Sequence, residues 1–521
     1  MTQDSGADES IGATLKDRLE YALLPNGIRQ QEKFLPAGSL ESICTELTVS
    51  TELSRYFDRD EARQVTSYIC DRTKPAKKIF AALVLISRIE LIKPFQNAPF
   101  FDEDLPFANN IEESALRSRW PGDQRSVLLT RSLRDIKVIR DFSLKQWCVN
   151  IPIFERDFDQ IYGDLVFDSD TIMPWESAGQ NIITGGYGYV QKVTIHKDHH
   201  SFTKYKDFAL KTVLPAKQHT RDIFKQELVA FRKVHPGPNL VELVSAFEIS
   251  GKDQFMLLFP WAEGGTLSDL MNESSKDLFT SLQLSPRDFV QWVTSQCRGL
   301  VEALGAIHQV NVVPRMDETS SGKDRSFGIH LDIKPANILY FSQETAKHAL
   351  GVLKIADFGL AEFHSASSRT RKSRGSAYRC SQQYRSPEHD IGYIISRKVD
   401  IWALGCIFSE LLTWMLLKYE GREEFRQARK QDALFSGDWN YVQDGENDVE
   451  DNFFQRHIEI NRAKTFRRLL QANPKFGYVK QTRAVRKEKA SLDQANSPVG
   501  SKHFKQIPRL KPSVSQDSKI L

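Results

Sequence analysis

Residues 328–339 read GIHLDIKPANIL and set Asp332, Lys334 and Asn337 into an apolar frame. A carboxylate so placed can accept or orient a hydroxyl proton. An ammonium two positions on can neutralise charge on a transferring phosphoryl group, and an amide oxygen three further on can ligate magnesium. Asp357, eighteen residues past Leu339 in KIADFGL, offers a second hard oxygen ligand for the same ion. The four residues together point to phosphoryl transfer.

Upstream, NIITGGYGYVQKVTIH (181–196) and DFALKTVL (207–214) read as three β-branched strands joined by tight turns. Gly185, Gly186 and Gly188 bracket the first turn, and without a Cβ their N–H groups can approach phosphate oxygens. A lone glycine-rich turn is more often a plain hairpin, so it needs company. Lys211 on the following strand can pair phosphates, provided a carboxylate steadies its stem. Glu227 offers that carboxylate, because RDIFKQELVAFRKV (221–234) puts Phe224, Leu228 and Phe231 on one helical face with Glu227 at its inner edge, although taken singly either charge reads first as a surface residue. Strands follow in VELVSAFEI and FMLLF. A long core helix then starts at Ser285, with Pro286 at its first position and an apolar stripe through Phe289, Val293, Cys297, Leu300, Leu304 and Ile307.

In this order, and with Ser386-Pro387-Glu388 and Asp400-x-Trp402-x-x-Gly405 behind them, these motifs resemble the eukaryotic protein kinases of serine/threonine type across roughly residues 176–415. The resemblance implies an α+β, bilobal fold: a small β-rich lobe with one main helix, a larger helical lobe incomplete at its C-terminal end, and a mostly helical extension in front. It implies ATP and Mg as cofactors and a protein serine or threonine as substrate. Val190, Ala209 and Leu339 would then sandwich the adenine, and Phe259 would be the gatekeeper. The Pro260 carbonyl would accept from the adenine amino group and the Ala262 N–H would donate to the ring. Asp332, Lys334, Lys211 and Glu227 would be the catalytic set, Asn337 and Asp357 the metal ligands, and Ser381 a bridge between Asp332 and Lys334. KKIFAALVLISRIELI (77–92) and TIMPWES (171–177) resemble the extension that precedes the kinase domain in filamentous-fungal kinase-like proteins.

The sequence departs from the family at four places. Ile183 stands where the first glycine is usual, and Cys380 replaces a glycine before Ser381. Leu331 replaces the arginine that grips a phosphorylated activation loop, so phosphorylation of Ser373 or Ser376 has lost its electrostatic partner. After Trp414 the arginine that normally pairs with the Pro-Glu carboxylate, here Glu388, is not recognisable. A buried Glu388 without that partner is therefore expected to cost several kcal/mol or to hold a proton. EGREEFRQARKQ (420–431) still reads as a helix.

The chain has 521 residues, 40% hydrophobic and 26% charged, as folded globular proteins do. Residues 1–15 read as disordered, 16–165 as a mostly helical extension without recognisable chemistry, 176–460 as the kinase-like domain and 461–521 as a basic, poorly ordered tail. Residues 461–511 carry fourteen Lys/Arg against two Asp/Glu, a charge of +12 in a chain whose total is +4. That stretch reads first as solvated, and nucleic acid is not the expected partner although the charge leaves it open. Six dispersed cysteines without a C-x-x-C pair argue against zinc and against a disulfide framework. The polar N-terminus and the short apolar run IFAALVLI predict no secretory signal and no membrane segment. A cytoplasmic location is expected first, with the nucleus as alternative because of Arg486–Lys489. The competing function is a pseudokinase or scaffold that binds nucleotide but transfers poorly. A small-molecule phosphotransferase ranks below it, because such enzymes usually lack D-x-K-P and S-P-E.

Overall fold

The computed structural model describes residues 13–110, 115–120, 122–128, 136–155, 165–185, 188–213, 220–272, 285–309, 326–342, 350–365, 382–390, 395–435, 453–458 and 477–481. Two compact units account for the chain, one of residues 1–270 with 294–371 and one of 271–293 with 372–521.

In the first unit, seven α-helices precede the sheet among the described residues: α1 (Leu15–Ala22), α2 (Ala37–Ile43), α3 (Glu46–Leu53), α4 (Arg59–Ile69), α5 (Lys77–Leu85), α6 (Ile92–Asn97) and α7 (Ile136–Val149). Local chemistry sets their starts. Thr14 and Asp17 form a capping box on α1, Thr45 caps α3 and Asp58 caps α4. The apolar run that begins at Ile79 is α5, and all seven residues from Ile79 to Leu85 are buried. Its N-cap, Ala76, has no side-chain acceptor, so the cap comes from elsewhere: Asp102 accepts from Lys78 N (2.9 Å) and Ile79 N (3.1 Å). Burial pushes the Asp102 carboxyl up to about 6 in spite of those donors.

The sheet has six strands: β1 (Leu165–Phe167), β2 (Trp175–Gly185), β3 (Gly188–Ile195), β4 (Asp207–Val213), β5 (Ser245–Ile249) and β6 (Gln254–Pro260). Their order is β1-β5-β6-β4-β3-β2, antiparallel except for β1 beside β5. The strand expected in VELVSAFEI starts only at Ser245, because Val241 turns aside to pair its N–H with Ile355 O (2.9 Å).

Cross-strand register decides which side chains share a face. Val190 lies opposite Lys211, Lys211 opposite Leu257, and Ala209 opposite Phe259, so these residues project to one side. Helix α8 (Thr220–Lys233) packs there through Phe224 on Phe255 (5.1 Å) and Phe231 on Phe259 (5.5 Å). The other side is also buried, in a cluster of Val193, Ile195, Phe208, Leu210, Phe247 and Leu258 with Phe154, Met173 and Trp175.

Helix α9 (Pro286–His308) starts where Ser285 accepts from Asp288 N (3.2 Å). A hairpin of β7 (Ile338–Phe341) and β8 (Val352–Ile355) is tied to it by Gln296, whose Oε1 accepts from Leu353 N (2.9 Å).

The second unit holds α10 (Lys398–Phe435), broken at Lys418 where φ is 61°. The helix expected in EGREEFRQARKQ forms its second half. Residues Lys398–Arg429 are long and apolar enough to cross a membrane by length and composition, yet Val399, Leu404, Ile407, Leu411 and Trp414 are buried within the protein, as in a core helix. Glu410 is 1% exposed and gathers Arg429 Nη2 (2.8 Å), Arg422 Nη2 (3.4 Å) and Tyr384 Oη (3.1 Å). This corrects the expectation for Glu388. Glu388 stands half-buried, and the late arginines, which the sequence left unrecognised, go to Glu410 instead. A half-exposed carboxylate keeps its hydration and needs no buried guanidinium.

Candidate active site

The glycine-rich end of the candidate site is built on β2, β3 and β4. The β2–β3 hairpin closes with Gly185 opposite Gly188. A Cβ on Gly188 would lie 2.2 Å from Thr212 O of β4, so the close approach of two backbones already requires glycine there. Gly186 lies outside the described residues. Strand alternation turns Lys211 toward α8, where its ammonium meets Glu227 Oε1 (2.8 Å) and Oε2 (2.9 Å) and also Asp357 Oδ1 (2.8 Å).

Burial works against the Lys211 charge, but Glu227 and Asp357 outweigh it and hold the ammonium above the ordinary lysine range. Burial likewise pushes the Glu227 carboxyl up against the pull of Lys211. Asp357 resists the same burial and is drawn below its usual range by Lys211 and then His330. The two acids differ in access as well, since the Asp357 side chain is 43% exposed and that of Glu227 only 2%. Asp357 can therefore reach a soluble cation, and Glu227 serves the lysine.

The second cluster stands at the mouth of the β7–β8 hairpin. Ile338 pairs with Ile355, and the next rung is the bond from Ala356 N to Asn337 O (2.9 Å), so Asn337 and Asp357 leave the ladder side by side. Asn337 Nδ2 donates to Asp332 Oδ2 (2.8 Å) and Asp332 O (2.9 Å), which fixes its amide plane. Lys334 Nζ sits 2.8 Å from Asp332 Oδ2. Asp332 N donates to His330 Nδ1 (3.4 Å), which leaves the ring proton on Nε2 to donate to Ala356 O (3.2 Å). Leu331 and Asp357 both adopt left-handed φ, 68° and 65°, a strained geometry for residues with side chains.

The apolar residues singled out lie on the strands and turns around these clusters. Ala209 and Phe259 are cross-strand neighbours, and Pro260 and Ala262 continue from β6 into a turn with Trp261. Leu339 is held beneath that turn by its bridge to Thr266 and by the bonds from Gly264 N to Tyr340 O (3.1 Å) and Tyr340 N to Gly265 O (2.8 Å). Val190 lies next to Lys211 on the same face. The structure thus brings together every described residue singled out for the site. Ser373, Ser376, Cys380 and Ser381 lie outside the described residues.

One arrangement escaped sequence reading. Phe259, Phe231, Phe358 and His330 form a continuous chain of rings, with centroids 5.5, 4.8 and 5.2 Å apart. It fastens α8 to the DFG segment and to the stretch of Asp332. Its members stand apart in sequence, and nothing there joins Phe259 to Phe231, one turn past Glu227 on the apolar face of α8, or to Phe358 and His330.

Asn337 and Asp357 supply two oxygen ligands of the kind that Mg²⁺ takes together with phosphate oxygens and water. Among the described residues no cluster of three or more His, Cys, Asp or Glu could hold a metal without such help.

By sequence, residues 177–475 match the family described as protein kinase domain. A probable serine/threonine-protein kinase of Dictyostelium discoideum is 26% identical over 241 residues, covering 44% of this chain and 26% of that protein. Extracellular signal-regulated kinase 7 of Drosophila melanogaster is 29% identical over 260 residues, 47% of this chain and 23% of the relative. Probable cyclin-dependent kinase 8 of Dictyostelium discoideum is 30% identical over 201 residues, 36% of this chain and 51% of the relative. These matches span about a quarter to a half of each relative's length. Since the family pattern extends over more than half of the chain, the protein belongs to the protein kinase domain family.

Proposed function

We propose that the chain is a serine/threonine protein kinase that moves the γ-phosphoryl of ATP to a protein hydroxyl with Mg²⁺. The observation that carries this reading is the ammonium of Lys211 fixed between Glu227 and Asp357, in one frame with the Asp332–Lys334–Asn337 cluster. Lys211 would hold the nucleotide phosphates, and Val190, Ala209 and Leu339 would take the base. Asn337 and Asp357 would hold the magnesium ion, whose chemistry is to neutralise charge on the phosphates. Asp332 would orient the attacking hydroxyl and receive its proton as oxygen bonds to the γ-phosphorus and the bond to the β-phosphate oxygen breaks, releasing ADP. Lys334 would balance the charge on the transferring group. The serine/threonine assignment is supported by Lys334 two positions after Asp332 and by the likeness to a probable serine/threonine-protein kinase of Dictyostelium discoideum.

The test is transfer from Mg·ATP to a basic serine/threonine peptide by the full chain beside Asp332→Asn. The variant is expected to lose roughly 10²–10⁴-fold in transfer while keeping nucleotide affinity. Nucleotide binding by the wild type with no transfer would instead make the protein a nucleotide-binding scaffold.

A further inference from the structure

The sheet that carries the nucleotide residues is gripped from behind by the extension. Phe154, on the segment that leaves α7, is 1% exposed and inserts into the rear face of the sheet. Its ring stacks on Trp175 (5.9 Å, 12°) and lies 5.8 Å from Phe247. Its backbone is bonded on both sides, from Phe154 N to His199 O (2.9 Å) and from Ser201 N to Phe154 O (3.0 Å).

His199 completes the grip. It is 2% exposed and sits in the connection between β3 and β4, the strands of Val190 and Lys211. Its Nε2 accepts from Ala37 N at the start of α2 (3.1 Å), so the ring proton lies on Nδ1 and donates to Pro152 O (3.1 Å). Phe34, fully buried, presents itself edge-on to His196 and His199, and Asp198 accepts from Gly38 N (3.0 Å). On the neighbouring strand, Gly27 N donates to Trp175 O (2.6 Å), and a Cβ at Gly27 would lie 2.7 Å from Ser177 Cα. The β3–β4 connection is thus held by two separate pieces of the extension.

We propose that Phe154 and His199 are positioning residues for phosphoryl transfer, through which the extension fixes the strands of Val190, Ala209 and Lys211. The inference rests on the kinase reading of the Lys211 site. Its physical basis is alternation: Phe208 and Leu210 pack in the rear cluster beside Phe154, and Ala209 and Lys211, one residue along, face the nucleotide side. A strand that shifts at the rear shifts equally at the front, and displacements near 1 Å are costly to transfer.

The experiment uses the full chain with Phe154→Ala, Phe154→Leu, His199→Leu and His199→Gln, and with Val65→Ala, which cuts the core of the extension away from the seam. Steady-state KM and kcat for Mg·ATP are read beside backbone hydrogen exchange over residues 188–213. Phe154→Ala and His199→Leu are expected to raise KM about fivefold or more and to speed exchange about tenfold. Phe154→Leu and His199→Gln should recover most of both, and Val65→Ala should lower the melting temperature and move neither. Asp198→Ala, which touches only the rim, gives the same direction if the larger changes unfold the protein. Unchanged KM and exchange in folded seam variants would overturn the proposal, as would Val65→Ala matching them. A chain that transfers no phosphate would fail the kinase reading, and exchange with nucleotide affinity would still decide the seam.

Discussion

Two carboxylates in this protein are both about 1% exposed and ion-paired, yet their surroundings differ. Glu227 meets a lysine, a compact point charge that also reaches the half-open Asp357. Glu410 meets Arg429, which is 0% exposed with its guanidinium 4.3 Å from the ring of Phe425 and 4.1 Å from that of Phe453. A planar, always charged guanidinium between two rings has nowhere to go, which suits a structural post. An ammonium with an exposed acid beside it can exchange partners, which suits a ligand site. The same buried pair of signs is thus either scaffold or chemistry, and access decides which.

That contrast can be broken by exchanging a cation for a methionine in each region. Arg429→Met leaves Glu410 with weaker partners and is expected to destabilise the second unit by about 3–5 kcal/mol, read by chemical denaturation, with nucleotide affinity unchanged in the folded fraction. Lys211→Met should instead cost transfer on the order of 10²–10³-fold in a chain that still folds. Equal losses of stability in the two variants would erase the distinction. Gly188→Ala probes the backbone beside the lysine. Its Cβ would meet Thr212 O, a neighbour that cannot rotate away, so a loss of about 1–3 kcal/mol is expected by thermal melting.

A smaller effect sharpens the comparison through pH. Burial, then His196 and Lys78, hold His199 at about 4 against its ordinary 6.5, although Pro152 O and Asp198 pull the other way. Between those values the unfolded chain binds the proton and the folded chain does not. This contribution is therefore complete above pH 6.5 and is lost as pH falls toward 4. Asp102, held at about 6, runs opposite, since in the folded state it takes its proton earlier than the unfolded chain does. Melting curves of wild type and His199→Gln between pH 7 and 4.5 should converge as the pH falls, and parallel curves would remove His199 from the balance.

Legibility followed sequence distance. Asp332, Lys334 and Asn337 lie within six residues, and their geometry is the local geometry of one stretch, so their spacing already implied it. Lys211 and Glu227 were readable because strand alternation and helical spacing each point a residue in one direction. Gly188 was singled out for phosphate, and the nearby backbone of Thr212 gives it a second reason to be glycine. Glu410 gave no signal, because nothing in D-x-W-x-x-G states that an arginine nineteen residues later folds back past a kink at Lys418.

The order of residues alone carried the chemical groups: which oxygens and cations are available, in what order, and on strands or helices whose periodicity aims them. Tertiary structure alone decided the supports. It chose Glu410 rather than Glu388 for the buried arginine, brought Asp102 across to cap α5, and seated Phe154 and His199 of distant segments behind the lysine strand. The physical reason is that reactive groups sit on short, regular pieces of chain whose directions are fixed locally. A support exists only when two surfaces meet, and their complementarity of shape and charge is written in neither sequence alone.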